Sequence, residues 1–252
     1  MSKAVKKGDP MFRKAFVISV IFSVLIAGAA QSETTFTKLA DGFDFPVGKP
    51  EAQGYYKARG FRPNGHLGED WDGVGGGDTD LNDPVSSIGG GVVVFARDVH
   101  LGWGNAVIVR YSFREDGVVK TIDALYGHLN TILVTRGQNV ARGQQIGTIG
   151  TAHGRYDAHL HFEIRKNLEI GINRAAFSRD FSNYYDPTRF IIAHRHLATG
   201  FGKYPVAMNT FTRDGVYDFD NAPNLGSHHR SSSAHSKSSV VFRVDRFSDL
   251  KD

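Results

Sequence analysis

The 252-residue sequence contains no cysteine, only three methionines and only two tryptophans. Without a thiol there is no thiolate zinc site, no cysteine nucleophile, no disulfide framework and no cysteine to acylate. Strong metal ligands must therefore come from carboxylates and from the 11 histidines. Several catalytic signatures are also missing. No His-Glu-x-x-His run occurs, no Gly-x-Ser-x-Gly elbow occurs, and no Gly-Lys-(Ser/Thr) follows the glycine runs at 75–77 and 89–91. What is present is a chain with 40% hydrophobic and 22% charged residues, which excludes wholesale disorder and allows one large domain or two small ones.

A net charge of +4 and a pI near 9.2 suggest a nucleic-acid or membrane partner until the charges are located. Lys3, Lys6, Lys7, Arg13 and Lys14 precede an apolar run from Ala15 to Leu25 and on to Ala30, which closes on Ala27-Gly28-Ala29-Ala30. Basic region, apolar stretch and small-residue site, in that order, predict a secretory signal peptide over 1–30. An uncleaved anchor is the rival reading, but the run is short for a membrane span. Removing 1–30 leaves 25 basic and 25 acidic residues. The expectation is a formally neutral exported protein, periplasmic or secreted, with no nucleic-acid partner and no stable membrane span after cleavage.

Residues 31–59 read as a lead-in segment. From 60 onward the signal is β. Gly91-Val92-Val93-Val94-Phe95-Ala96 and Asn105-Ala106-Val107-Ile108-Val109-Arg110-Tyr111 are short apolar runs bounded by glycine, and Arg136-Gly137-Gln138 and Arg142-Gly143-Gln144 read as tight turns. Many short strands with glycine turns predict a small sandwich or barrel. Asp186-Pro187 supplies a cap and first turn for one helix carrying Phe190 and Ile191. Residues 198–252 read as a polar, partly disordered tail, with low-complexity sequence from His228 to Ser239 and a loosely indicated strand at Val240-Val241-Phe242.

Ala158-His159-Leu160-His161-Phe162-Glu163-Ile164 alternates polar and apolar residues. On a strand this places His159, His161 and Glu163 on one face and the apolar residues on the other. His66 and Asp70 lie four apart in a glycine-rich, non-helical stretch, so an extended backbone puts both on one side. His128, in Tyr126-Gly127-His128-Leu129, stands on an expected turn. Two imidazoles and a carboxylate would leave a tetrahedral zinc one open position for water.

His-x-x-x-Asp, then Gly-His, then His-x-His, in this order, resembles the lysostaphin-type zinc endopeptidases of family M23 (LytM-type domains), which cut the peptide part of peptidoglycan. Asp83-Pro84-Val85, Gly91-Val92-Val93, Gly104-Asn105 and Gly143-Gln144-Gln145-Ile146-Gly147 extend the resemblance over about 60–164, with weaker similarity through Asp186-Pro187-Thr188-Arg189-Phe190. The resemblance implies a mainly β fold: a compact antiparallel domain of the duplicated hybrid or barrel-sandwich kind with one C-terminal helix, spanning 60–197. It implies Zn2+ held by His66, Asp70 and His161, with His128 and His159 as the unligated catalytic histidines. It implies hydrolysis of stem-peptide or cross-bridge bonds by metal-activated water, with a non-catalytic wall-binding or hydrolase-activating domain of the same fold as the alternative. Tyr156-Asp157-Ala158 and Gly68-Glu69-Asp70-Trp71 depart from commoner family sequences, which bears on the groove walls.

Other clusters read as decoys. His194-Arg195-His196 falls on the helix, where residues two apart diverge, and reads as helix surface. Asp78-x-Asp80-x-Asn82 resembles a calcium loop but has Asp83 where glycine is needed and Gly89 where glutamate is needed, so it reads as a solvated turn. His153 reads as a groove residue or a turn cap. His228, His229 and His235 read as tail.

Overall fold

The computed structural model describes Met1 and residues 33–212 except Leu101 and Phe201. The expected signal peptide and the stretch around Val240 lie outside the described residues. Among those described, no helix is long and apolar enough to cross a membrane.

The fold is mainly antiparallel β, as the turn-rich sequence predicts. Among the described residues the twelve strands are β1 (Thr34–Lys38), β2 (Tyr55–Arg59), β3 (Glu69–Gly73), β4 (Pro84–Ser86), β5 (Gly91–Asp98), β6 (Asn105–Glu115), β7 (Val118–Ile132), β8 (Asn139–Val140), β9 (Gln145–Ile149), β10 (Leu160–Arg165), β11 (Tyr184–Tyr185) and β12 (Lys203–Ala207). One helix, α1 (Pro187–Ala193), lies between β11 and β12. Ten strands form one sheet with the path β2-β3-β10-β7-β6-β5-β8; β11 adds to β10, and β9 bridges β7 and β4. β1 and β12 form a separate two-stranded sheet.

The apolar runs of β5 and β6 are buried on both faces, which is why they do not alternate with polar residues. Val93, Val107, Val109 and Tyr111 enter one cluster with Phe43, Phe113, Tyr126, Phe162 and Phe190. Their neighbours Val92, Val94, Ala106 and Ile108 enter a second cluster, closed by Val206 of β12 and by Met208. The segment read from sequence as tail thus contains a strand whose side chains complete a core. The lead-in likewise contributes Phe43, whose ring meets Tyr111, Phe113 and Phe190 at centroid distances of 5.2–5.6 Å. Buried charge is paired: Arg110 and Asp123, opposite each other on β6 and β7, are joined by two hydrogen bonds of 2.6 and 2.7 Å.

The helix forms where its cap predicts. The Asp186 side chain accepts from Arg189 N at 3.0 Å, and Pro187 occupies the first turn, where its missing N–H costs no intrahelical bond. His194 is not helix surface, contrary to the sequence reading. It is buried at the helix C-terminus, its ring lies 4.2 Å from that of Phe190, and Nε2 lies 2.7 Å from Glu115 Oε1. Asp80 is also not solvated. It is buried and accepts from Gly73 N at 3.0 Å.

Candidate functional site

The candidate residues meet at the centre of the sheet. β10 lies between β3 and β7, and His161 sits opposite Asp70 on one side and Gly127 on the other. His66 precedes β3 and is fixed by a bridge to Arg62. Gly68 lets this stretch lie against β10. A Cβ there would stand 2.4 Å from Phe162 O and 2.8 Å from Glu163 Cγ, so any other residue would push His66 and Asp70 off β10.

Three ligand atoms converge. His161 Nδ1 lies 2.8 Å from Asp70 Oδ1, His66 Nε2 lies 3.1 Å from the same oxygen, and the two ring nitrogens are 3.2 Å apart. The remaining nitrogens fix the tautomers. His66 Nδ1 lies 3.2 Å from Gly60 O, a group that only accepts, so Nδ1 carries the proton and Nε2 the lone pair. His161 Nε2 donates to Glu163 Oε1 at 3.0 Å, leaving the Nδ1 lone pair aimed at Asp70.

The electrostatics favour positive charge at this point. Burial pushes the Asp70 carboxyl up, but without a metal ion protonation of His161 and His66 on the nitrogens that face it turns them into donors, which outweigh burial and hold the group far below the usual carboxylate range. Burial pushes His161 down, and its bonds to Asp70 and Glu163 override that and raise it. Burial also pushes Glu163 up, yet the charges of Arg165 and Arg174 keep it ionised. Three bare lone pairs within about 3 Å of one another repel unless a cation stands among them, whether a proton or a metal ion.

His128 and His159 flank this cluster. Their ring centroids are 4.9 Å apart, and His128 lies 5.5 Å from His161. The structure corrects one expectation: His128 lies within the 15-residue strand β7, not on a turn between strands. Its φ of 63° nevertheless gives it a turn-like backbone at an irregularity in that strand. His128 Nδ1 donates to Trp103 O at 3.3 Å, and His159 Nδ1 donates to Asp157 O at 2.8 Å. Burial, then the charges of His161 and His159, push His128 down to about 3, so it is neutral at neutral pH. All four imidazoles therefore have one nitrogen tied to an acceptor outside the cluster, leaving the other as a lone-pair site. His159 Nε2 stands 3.8 Å from Asp70 Oδ1.

The site opens into a groove of about 480 Å³, whose lining includes Trp103, Tyr156, Arg59, Arg174 and Arg179. The Arg174 guanidinium stacks over Trp103 at 4.7 Å and also bonds Glu163. Sequence reasoning gave Glu163 a place on the histidine face but no task. It also passed over Trp103 and Arg174, and it read Asp78 as part of a solvated turn, whereas the Asp78 carboxylate accepts from Ala158 N at 2.7 Å and so holds the chain just before His159. Arg165 two residues after Glu163 was the available signal for the first of these. The others depend on contacts remote in sequence.

Residues 66–172 match the family described as Peptidase family M23. The Peptidoglycan DD-endopeptidase ShyA of Vibrio cholerae is 38% identical over 84 residues, 33% of this chain and 18% of that protein. The Murein hydrolase activator NlpD of Escherichia coli is 37% identical over 75 residues, 30% of this chain and 18% of that protein. The chain thus spans less than a fifth of the length of either curated relative. The catalytic domain of lysostaphin from Staphylococcus simulans is 30% identical, aligned over 55% of this chain and 92% of that one, with a TM-score of 0.40. The matched stretch contains His66, Asp70, His128, His159 and His161, and with it the chain carries a domain of peptidase family M23.

Proposed function

We propose that the protein is an exported zinc endopeptidase that hydrolyses peptide bonds in peptidoglycan stem peptides or cross-bridges. The observation that carries this reading is the arrangement of the four imidazoles and Asp70, each ring fixed in the tautomer that turns its second nitrogen into an acceptor. Residues 60–197 are taken as the peptidase domain, and 1–30 as a signal peptide.

The donor set fits zinc. Ligand atoms on a tetrahedral zinc, at about 2.0–2.2 Å from the ion, stand roughly 3.3–3.5 Å apart. The three converging atoms are 2.8–3.2 Å apart, a few tenths of an ångström tighter. His66, Asp70 and His161 would hold the ion. When bound, zinc supplies Lewis acidity toward a peptide carbonyl and makes water a nucleophile near neutral pH. His128 and His159 together take the proton of the attacking water at an imidazole nitrogen, stabilise the developing oxyanion and return a proton to the leaving amine. Trp103 and Tyr156 flank this pair, and the groove arginines favour a peptide that carries carboxylates.

The test is incubation of the mature chain with purified sacculi and zinc, with products identified by mass spectrometry. New peptide ends that vanish in His128→Ala and His161→Ala are expected; intact sacculi with zinc bound would overturn the reading. The similarity to a protein named as a murein hydrolase activator favours a second reading, in which the groove binds wall peptide and stimulates another hydrolase. That reading predicts no cleavage by the chain alone and enhanced cleavage when a second hydrolase is added.

A further inference from the structure

A second His/Asp cluster lies outside the groove lining. Asp98 ends β5, His100 follows in the β5–β6 connection, and His153 stands in the connection between β9 and β10. Asp98 Oδ2 is 3.0 Å from His100 Nδ1 and 3.0 Å from His153 Nε2. All three ligand atoms lie within 4.8 Å of one another, and the imidazoles face each other at 6.1 Å and 30°.

We propose that Asp98, His100 and His153 form a second divalent-metal site, of the nitrogen/oxygen class that takes zinc, nickel or copper(II), clamping together the two connections that carry Trp103 and Tyr156. Three observations bear on it. Both histidines have left-handed backbones, with φ of 58° and 59°, a conformation that residues with a side chain rarely adopt. The two strained positions come from segments remote in sequence and deliver ring nitrogens to one carboxylate. Both imidazoles are about half exposed, 49% for each side chain, so an ion there could complete its coordination with water. The same Asp98 carboxylate also accepts from His100 N at 2.9 Å and lies 3.0 Å from His153 Nε2 through Oδ1, so it is oriented from both sides.

The placement gives the site a consequence. Trp103 O accepts from His128, and the Tyr156 ring lies 4.7 Å from the His128 ring. The two connections therefore both border the groove beside His128, and the Tyr156 hydroxyl lies next to Gly102. An ion held between Asp98, His100 and His153 would fix their separation independently of the ion expected at His161.

The test uses zinc alone and the full chain. H228Q, H229Q and H235Q are introduced throughout to remove the tail histidines. Bound zinc is counted by elemental mass spectrometry after equilibrium dialysis at rising free zinc. Two equivalents are expected in this parent, with D98N and H153Q each losing the weaker one and H161A losing the tighter one. Saturation at one equivalent, or a second equivalent that survives both D98N and H153Q, would overturn the proposal. Copper(II) spin resonance provides a measurement that does not depend on counting. The added equivalent should show coupling to two imidazole nitrogens in the parent and its signal should be lost in H153Q, and an unchanged spectrum would overturn the assignment.

Discussion

Replacing Glu163 by glutamine removes one charge from a crowded, buried polar contact while keeping its shape. Glu163 is fully buried and accepts from His161 Nε2 at 3.0 Å, Arg165 Nε at 2.8 Å and Arg174 Nη1, with Arg165 Nη2 in ion-pair contact at 2.7 Å. Two effects should separate. The Arg165 guanidinium, itself buried, loses its counter-charge; breaking a buried pair costs about 3–5 kcal/mol, and the lower end applies because glutamine still accepts one bond. The second effect falls on His161. Glu163 fixes which nitrogen of that ring carries the proton, and loss of such a partner weakens metal binding by about 10–100-fold, or roughly 1.4–2.7 kcal/mol. Urea unfolding of the metal-free protein reads the first effect, and competition for zinc against a chelating dye reads the second. A variant that loses stability yet binds zinc as tightly as the parent would refute the claim that Glu163 orients His161, leaving it only as a partner for the arginines.

Four further outcomes are expected. His161→Ala should lose the tighter zinc equivalent and turnover, whereas His159→Ala should retain that zinc and lose turnover, both read by metal analysis beside product formation. Gly68→Ala should cost about 1–3 kcal/mol in urea unfolding and weaken zinc binding, because the added methyl meets the β10 backbone. Lys120 and His194 hold the Glu115 carboxyl below its ordinary value, so its contribution is present above about pH 4.3 and is lost as the pH falls through the depressed value. Glu115→Gln should remove that part of the acid slope in a pH series of melting curves, an effect of about 0.5 kcal/mol or less for so exposed a pair. Finally, Arg59→Gln with Arg179→Gln should raise KM for carboxylate-bearing peptides more than for their amidated forms. Equal effects on both would show that these arginines do not read substrate charge.

What the sequence made legible was local. The cap at Asp186 depends on neighbours a few residues away and appears where expected, while the strand read from the alternation over Ala158–Ile164 begins only at Leu160 and is buried throughout, with His159 just outside it in a bridge to Gly150. The convergence of His66 and Asp70 with His161 rests on strand pairing across 91 residues, and only the resemblance to a known family brought the two motifs together. His128 in Tyr126-Gly127-His128-Leu129 read as a turn residue, and its φ is turn-like; that it interrupts a long strand follows from pairing with β6, β9 and β10. His194 looked exposed because helical spacing cannot reveal that Phe43 and Phe113 close over the end of α1. β12 resisted detection for a related reason: its single buried side chain, Val206, acquires meaning only against the apolar face of β5 and β6.

The antiparallel pairing of β1 and β12 sets Thr34 beside Ala207, with Met208 N donating to Glu33 O just outside them. Glu33 and Met208 therefore stand together at one corner, while Thr210 and Thr212 continue along the body with bonds to Leu168 and Glu169. Tension applied at Thr34 and Ala207 would load that pair as a zipper, breaking hydrogen bonds one after another from the outer end instead of shearing them together. The two-stranded sheet would peel at low force and uncover Val206 and Met208, while the ten-stranded sheet that carries the histidines stays off the line of pull.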